Sequence, residues 1–431
     1  MYLTSLTTEN VKLLADQTFS FTNPDGTPRL WTVVIGDNGL CKTTLLQLIA
    51  LAASGEKLAR KLVEEPSDYR NAGAPHGVAR VCASFAVARG TVPGEPDREK
   101  LELSLSAEPG RADMRGAGAV AAIDEIRSRK AQGFFCVGYG VGRYLPRPGE
   151  VAIPRDALFD RVEGLFRQDH KMLGIDFYEA LKKLGEAEGG ERGTGNELAL
   201  AYSRTLRDVL LAEDELGERL LPWLSRIDLG GKGGVERMSR LLEARRFELE
   251  VGAARIKLGP GSLSQGYQSM IAWICDLLGQ AFLERGASVD PKTLEGVALL
   301  DELDLHLHPT WQRRIVPILK RAFPRLQFVV TTHSPLVLTG FEQHEIVALT
   351  MSDGRVVQRA AALPPGGLTG SELLGGFFDV PRAARPAFVE KERRYLELAA
   401  RDTRSAAEEA ALAQLAAELA PYWPSGPLEA A

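Results

Sequence analysis

The chain is poor in the residues that mark a secreted or metal-stapled scaffold. It has 4 cysteines in 431 residues. Cys41, Cys82, Cys136 and Cys275 lie too far apart to form a metal-type pair, so reduced thiols in a cytoplasm are the expectation. No apolar run reaches the ~18 residues of a membrane span, and no charged-then-apolar leader opens the chain, which argues against membrane insertion and export. Basic charge is not in excess either. Lys plus Arg number 52 against 57 for Asp plus Glu, a formal net charge of −5. Bulk electrostatics therefore do not steer the protein to nucleic acid, and any DNA contact would need a local basic patch. No heptad pattern persists long enough for a long coiled coil, and no internal repeat is found. What is there is ordinary for a soluble globular chain, 45% hydrophobic and 25% charged, and long enough for several lobes.

The chain is organised around Gly36-Asp37-Asn38-Gly39-Leu40-Cys41-Lys42-Thr43-Thr44. The apolar run Thr32–Ile35 leads into this stretch and the amphipathic Leu45–Leu51 leaves it. Strand, glycine-bearing loop and helix in that order form the context of a phosphate-binding P-loop. Backbone N–H groups of such a loop wrap phosphates, and the helix N-terminus adds partial positive charge. Lys42 would reach the β- and γ-phosphates, and the Thr43 hydroxyl would bind Mg²⁺. The pattern G-x-x-x-x-G-K-[ST] asks for glycine at position 41, where this chain has Cys41.

Three further stretches carry chemistry. Val297–Leu300 followed by Asp301-Glu302 reads as a buried strand with two carboxylates at its C-terminal edge, where α/β sheets bind ligands. Asp301 would hold the Mg²⁺ shell and Glu302 would polarise an attacking water, although paired acids also occur simply as loop-entry residues. Leu263-Ser264-Gln265-Gly266-Tyr267-Gln268 opens an apolar helix. Locally it is an N-cap and a close-approach glycine; functionally, Ser264 and the helix N-terminus can take a γ-phosphate from the same chain or another. Thr331-Thr332-His333-Ser334-Pro335 closes another apolar strand, placing His333 where an imidazole can meet a phosphate oxygen. His306 and His308, two residues apart with Pro309 following, lack the spacing of a metal pair.

Around these motifs the pattern predicts short strands at Tyr2–Thr7, Thr18–Thr22 and Leu30–Ile35, with Asn23-Pro24-Asp25-Gly26 turning a hairpin into the P-loop strand. Antiparallel strands are expected at Val78–Val87 and Lys100–Ser106, and a buried strand in Ala131–Tyr139. The following Gly138-Tyr139-Gly140-Val141-Gly142-Arg143 reads as a turn, since no helix pattern follows its glycines. Helical spacing appears at Leu158–Phe166, Ile175–Leu184, Glu197–Leu211, Glu213–Leu224 and Val235–Phe247, then at Ser269–Leu283 and Trp311–Phe323. Gln327–Thr332 is a strand, and Ile346–Thr350 with Arg355–Arg359 form a hairpin. The tail Arg382–Leu419 is helix in two segments.

The order of the four motifs resembles the SMC/RecF-like branch of ABC-type ATPases. The run from Asp301 to Gln312, D-E-L-D-L-H-L-H-P-T-W-Q, is especially similar to standalone anti-phage ATPases such as those of the Septu, PARIS and retron systems. The resemblance covers residues 1–350. It implies an α/β fold, a P-loop ABC-type ATPase head with a mixed sheet and an antiparallel β lobe. A compact helical lobe would be inserted in it and a helical tail would follow. The corresponding divisions are 1–155, 156–247, 248–362 and 363–431. It further implies ATP and Mg²⁺ as ligands, with Gly36, Asn38, Gly39, Cys41, Lys42, Thr43 and Thr44 as Walker A and Ser264, Gly266 and Gln268 as the signature. Thr43 and Asp301 would hold the metal, Glu302 and His333 would be catalytic, and Asp304 would lie in the D-loop. Gln132 is the candidate Q-loop glutamine. The family pattern is a head-to-tail dimer or higher oligomer in which one protomer's signature completes the other's site. After His333 there is no acid cluster resembling a nuclease, so an effector, a nuclease by analogy, is expected on a separate polypeptide. The alternative is a RecF-like DNA-clamping ATPase, for which Arg240/Arg245/Arg246 and Arg313/Arg314/Lys320/Arg321 are candidate contacts or merely solvated helix faces. A membrane transporter subunit fits poorly.

Cys41 is the departure from that pattern. A Cβ at this position costs roughly 1–2 kcal/mol if φ is positive. Three consequences stay open: a tolerated variant with slow hydrolysis, a disabled site, or a thiol made redox-sensitive beside Lys42.

Overall fold

A computed structural model describes residues 1–74, 76–89, 91–92, 95, 97–109, 114–118, 123, 134–146, 161–181, 195–227, 247–361, 363–378, 380, 386–401 and 403–422. The chain divides into two units, Met1–Gly367 and Leu368–Ala431.

The first unit is built on a six-stranded mixed sheet in the order β14-β13-β3-β12-β11-β7. Its strands are β3 (Trp31–Ile35), β7 (Cys136–Tyr139), β11 (Gly296–Leu300), β12 (Leu326–Thr331), β13 (Ile346–Ser352) and β14 (Arg355–Ala360). All neighbours are parallel except the β13–β14 hairpin. Every residue of β3, β7, β11 and β12 is buried, which is why they read as continuous apolar runs: a parallel strand is covered on both faces. The register aligns their C-terminal ends, with Leu300 opposite Val330 and Tyr139, Thr331 opposite Val34, and Ala348 opposite Ile35. One edge of the sheet therefore collects the residues that follow Ile35, Tyr139, Leu300 and Thr331.

A second sheet, β2-β1-β4-β5-β6, is antiparallel throughout. It comprises β1 (Tyr2–Glu9), β2 (Gln17–Ser20), β4 (Ala79–Ala86), β5 (Lys100–Ala107) and β6 (Met114–Gly118). Between the sheets runs α1 (Lys42–Leu62), buried on nearly every side by Leu45, Leu46, Leu48, Ile49, Ala50, Leu51, Ala52 and Ala53. Leu3, Phe85 and Leu103 from one sheet and Val34, Leu299 and Val329 from the other share its core. The turn at Asn23–Gly26 forms as expected, the Gly26 N–H donating to Asn23 O at 2.9 Å. It closes a short antiparallel bridge between Thr22 and Pro28 but does not pair β2 with β3, which belong to different sheets. Arg29 anchors the crossing by donating to Ser20 O, Thr32 Oγ1 and His344 O.

Beyond the central sheet lie α2 (Gly195–Leu210) and α3 (Gln265–Arg285), the latter buried along most of its length and packed on α2. A three-stranded antiparallel sheet of β8 (Leu224–Ile227), β9 (Phe247–Val251) and β10 (Ala254–Leu258) was not anticipated. The helix expected over Glu213–Leu224 is absent from these described residues. Asp214 Oδ1 accepts the N–H groups of Leu216 and Glu218, Gly217 takes φ 76°, and Pro222 follows. The apolar spacing misled: Leu216 is 87% exposed. The helix expected over Trp311–Phe323 breaks into α4 (Pro309–Gln312) and α5 (Ile315–Ala322). The restart puts Pro317 in a first turn, where its missing N–H costs no helical bond. The short α6 (Pro335–Leu338) follows β12. Residues 158–160, 182–184 and 235–246 of the other expected helices, together with Gln132, Arg240, Arg245 and Arg246, lie outside the described residues.

The second unit contains α7 (Gly370–Phe378), α8 (Pro386–Ala399) and α9 (Ala406–Leu419). Ser405 and Glu408 form a capping box on α9, and Lys391 pairs with Glu418 at 2.6 Å. No helix among the described residues is long and apolar enough to cross a membrane.

Candidate nucleotide site

The sheet edge, α1 and the second sheet enclose a cleft of about 380 Å³. Its walls are Asn38–Thr44 of the P-loop, Asp301 and Glu302 after β11, His333 after β12, and Lys12 and Leu13 after β1. The loop's conformation explains its composition. Gly36 has φ 145°, and a Cβ there would stand 2.6 Å from the Leu349 carbonyl oxygen; Gly39 has φ 83°. Cys41 caps α1 in the left-handed region, φ 60° and ψ 23°, where glycine alone is unstrained.

Lys42 is 7% exposed, and its Nζ donates to Gly36 O at 2.7 Å and Asp37 O at 2.8 Å. Burial lowers its pKa from the ordinary lysine value, while Asp301, Glu302 and Asp37 oppose that shift. The ammonium is thus curled across the loop mouth on two carbonyls that a phosphate group can replace. Thr43 Oγ1 donates to Asp301 Oδ2 at 2.7 Å, so the hydroxyl and carboxylate that suit Mg²⁺ already face each other. This oxygen pair beside a lysine fits Mg-ATP.

Asp301 is held from three sides. Thr331 Oγ1 donates to its Oδ1 at 2.6 Å, Thr43 takes its Oδ2, and its N–H donates to Tyr139 O at 2.8 Å. Thr331 Oγ1 also accepts the Glu302 N–H at 2.7 Å. Glu302 stands in the left-handed region at φ 48°. Asp304 lies one turn on, its Oδ1 accepting Thr332 Oγ1–H and, at 3.3 Å, the His333 N–H. It therefore fixes the His333 segment of its own chain without lining the cleft.

The signature residues also lie outside the cleft. Ser264 is the exposed N-cap of α3, and its hydroxyl makes no cap bond. A Cβ on Gly266 would meet His306 O at 2.6 Å, and Tyr267 packs edge-on against Trp311 with centroids 4.8 Å apart. Gln268 Nε2 donates to Leu263 O at 2.7 Å. The structure thus joins Asn38–Thr44, Asp301, Glu302 and His333 at one cleft, and sets the exposed Ser264, the buried Gly266 and the half-buried Gln268 outside it.

Sequence reasoning missed the part played by Lys12 and Arg143, and it read Thr331 only as part of a strand-end run, not as the partner of Asp301. Lys12 Nζ donates to Thr44 Oγ1 at 3.2 Å and sits 4.9 Å from the Tyr69 ring centre. No motif announces a lysine that arrives from another sheet. A larger groove of about 740 Å³ runs past Arg313, Arg314, Lys320 and Arg321. Acids share it, with Arg314 bound to Glu218 at 2.9 Å and Lys320 to Glu345 at 2.8 Å, so it is not a purely basic track.

Residues 232–339 match the family described as "AAA domain, putative AbiEii toxin, Type IV TA system", a span that takes in Ser264 to His333. The chain is similar to the Septu protein PtuA of Bacillus mycoides (strain KBAB4), 25% identical over 356 residues, covering 82% of this chain and 41% of that protein. It is similar to the Retron Ec83 probable ATPase of Escherichia coli, 39% identical over 105 residues, covering 24% of this chain and 19% of that one. The chain thus spans less than half the length of these relatives. Among solved structures it resembles an SMC head bound to the C-winged helix domain of ScpA, with TM-score 0.52, 17% identity and coverage of 84% and 98%. The fold is that of an SMC head, and in sequence the chain resembles the Septu protein PtuA and the retron ATPase.

Proposed function

We propose that this chain binds Mg-ATP and hydrolyses it slowly as a cytoplasmic dimer with composite sites, controlling a separately encoded effector, a nuclease, in anti-phage defence. The observation that carries the reading is the Thr43–Asp301 bond beside Lys42, which gathers a phosphate cation and two metal ligands at one sheet edge. In this reading the N–H groups of Asn38–Thr44 and Lys42 hold phosphate oxygens, and Lys12 reaches the nucleotide through Thr44. Thr43 and Asp301 hold Mg²⁺, which supplies charge neutralisation at the β- and γ-phosphates. Glu302 accepts the proton of the attacking water, and His333 steadies the γ-phosphate side. Ser264, Gly266 and Gln268, outside the cleft of their own protomer, complete the site of a second copy, and the D-loop Asp304 lies at the seam between the two. The effector assignment rests on the resemblance to the Septu and retron ATPases.

The test is Glu302→Gln. ATP binding by titration with a fluorescent analogue should stay within about 3-fold, while turnover falls by about 100-fold or more, the usual scale for losing a catalytic base. An ATP-dependent dimer should then accumulate in light scattering. Failure of the wild type to bind ATP would sink the reading. Affinity purification with and without ATP, followed by mass spectrometry, tests the effector, and recovery of no nuclease would remove that part alone.

A further inference from the structure

The loop after β7 brings a buried cation to the Walker B turn. Arg143 is 4% exposed, and its Nη2 donates to the Glu302 carbonyl oxygen at 2.6 Å. Its path there is fixed by close backbone packing. A Cβ at Gly140 would stand 2.3 Å from Gly164 O, and one at Gly142 would stand 2.5 Å from Gln168 O. The glycines thus let the segment lie directly against residues 164–168, and the Gly140 N–H donates to Gly164 O at 3.0 Å.

The guanidinium is an expensive way to hold a loop. Its Nε and Nη1 are buried and make no hydrogen bond to any of the described residues. Burial lowers its pKa to about 10, while the nearby carboxylates Asp301, Asp304 and Glu302 oppose the shift. A purely structural arginine would have its donor fork filled, because unmet buried donors cost about 1–3 kcal/mol each. What this one does hold is unusual. Glu302 has φ 48°, a conformation that costs a non-glycine residue about 1–2 kcal/mol. Both peptide groups beside it are tied: its N–H goes to Thr331 Oγ1, and its C=O accepts from Arg143 and from the Leu305 N–H at 3.0 Å.

We infer that Arg143 is a positioning residue that holds the Glu302 turn in its left-handed form and so aims the Glu302 carboxylate into the cleft. The inference rests on the nucleotide-hydrolysing role given above to Glu302. It concerns the chain's own backbone, so it can also be tested without nucleotide. Arg143 acts through Glu302 and touches no reacting atom.

The experiment compares wild type, Arg143→Ala and the volume-filling Arg143→Met, each checked for an intact fold by circular dichroism. Hydrogen exchange of the Leu305 amide in nucleotide-free protein should speed up about 10-fold or more in both variants, since the turn it closes loses its clamp. The ATP dissociation constant should stay within about 3-fold, while kcat falls about 30-fold with little change in KM, the scale of one charge-assisted hydrogen bond. Added guanidinium should recover at least about 5-fold of the kcat lost in Arg143→Ala, because it refills the vacated donor site. Unchanged Leu305 exchange in folded variants overturns the inference. So does an equal loss of ATP binding and turnover without guanidinium rescue, which marks a merely structural residue. Absence of turnover in the wild type counts against the nucleotide reading instead, and the Leu305 exchange still decides the role of Arg143.

Discussion

The two parts of the chain that carry nucleotide motifs are prepared in opposite ways. At the sheet edge the cation and the metal-side oxygens are already bonded: Lys42 to the loop carbonyls, Thr43 to Asp301, Asp301 and the Glu302 N–H to Thr331, and the His333 N–H to Asp304. At the start of α3, Ser264 is exposed and its hydroxyl is not used as a cap, while Gly266 and Tyr267 are packed hard against His306 and Trp311. The first region is a pre-set binding site. The second is a rigid platform with one free polar tip. In the proposed reading that tip meets a ligand presented by a second copy, which is the physical content of a composite site. The regions are also tied together. Tyr139 accepts the Asp301 N–H on its carbonyl and donates from its hydroxyl to Asp276 on α3 at 2.9 Å.

The comparison breaks most sharply through two substitutions. Lys42→Ala removes the cation of the pre-set half, and ATP affinity should fall by about 100-fold or more, as expected for losing a charge-assisted phosphate contact in a sheltered site. Ser264→Arg should do the opposite. It puts bulk and charge on the free tip, so ATP binding by the isolated protomer should stay within about 3-fold while turnover and the ATP-dependent dimer are lost, turnover by about 100-fold. Isothermal titration and light scattering on both variants separate the cases. Equal loss of binding in the two would mean that both regions serve one protomer.

A smaller effect tests the tie between the regions. Asp276 is fully buried, accepts from Tyr139 and from the Leu173 N–H at 2.8 Å, and burial raises its pKa above the ordinary aspartate value, opposed by those hydrogen bonds and by His170. A carboxyl whose pKa is raised on folding holds its proton longer in the folded chain. Its stabilising contribution is therefore full below the ordinary value of about 3.9 and is lost as pH rises through the folded value. Asp276→Asn cannot titrate. Its melting temperature relative to wild type should climb between pH 4 and pH 7 by about 1–3 °C. A difference that stays flat with pH would show that Asp276 keeps an ordinary carboxyl.

How much of this could be read beforehand depends on sequence distance. The P-loop, Asp301-Glu302 and Thr331–Ser334 were legible because each puts its chemistry and its strand in one short run, and parallel strands buried on both faces leave unbroken apolar runs. The sheet then brings those runs to one edge without further specification. Lys12 and Arg143 were not legible. Lys12 reaches the cleft from the loop after β1, whereas Arg143 reaches the Glu302 carbonyl from the loop after β7 and sits behind glycines whose spacing looks like any turn. Their true role, letting backbone pass residues 164–168, depends on a contact partner that the local sequence does not contain. The missed β8–β10 sheet has the same cause in part. Glu213–Leu224 keeps apolar residues at helical spacing, yet Asp214 and Gly217 close a turn that outweighs the pattern. The fourth legible motif, the signature, was readable as residues but not as geometry, since nothing in Leu263–Gln268 tells which chain it serves.

The smallest expected effect lies at the one residue where the pre-set half departs from its own rule. Cys41 holds φ 60° and ψ 23° with a Cβ, half-buried at the cleft wall, its Sγ 4.0 Å from Gly39 O. The left-handed conformation costs a side-chain-bearing residue about 1–2 kcal/mol, and glycine gives back about 0.5–1 kcal/mol through greater freedom in the unfolded chain. Cys41→Gly should therefore stabilise the protein by no more than about 1.5 kcal/mol in urea unfolding, the largest difference between those terms. If the Cβ also crowds the phosphates, turnover should rise by about 3- to 10-fold with ATP affinity nearly unchanged, because a contact that tightens only in the transition state acts on kcat. Greater stability with unchanged turnover would separate the two effects. It would mean that the strain at Cys41 is carried by the fold alone and does not set the rate of the proposed hydrolysis.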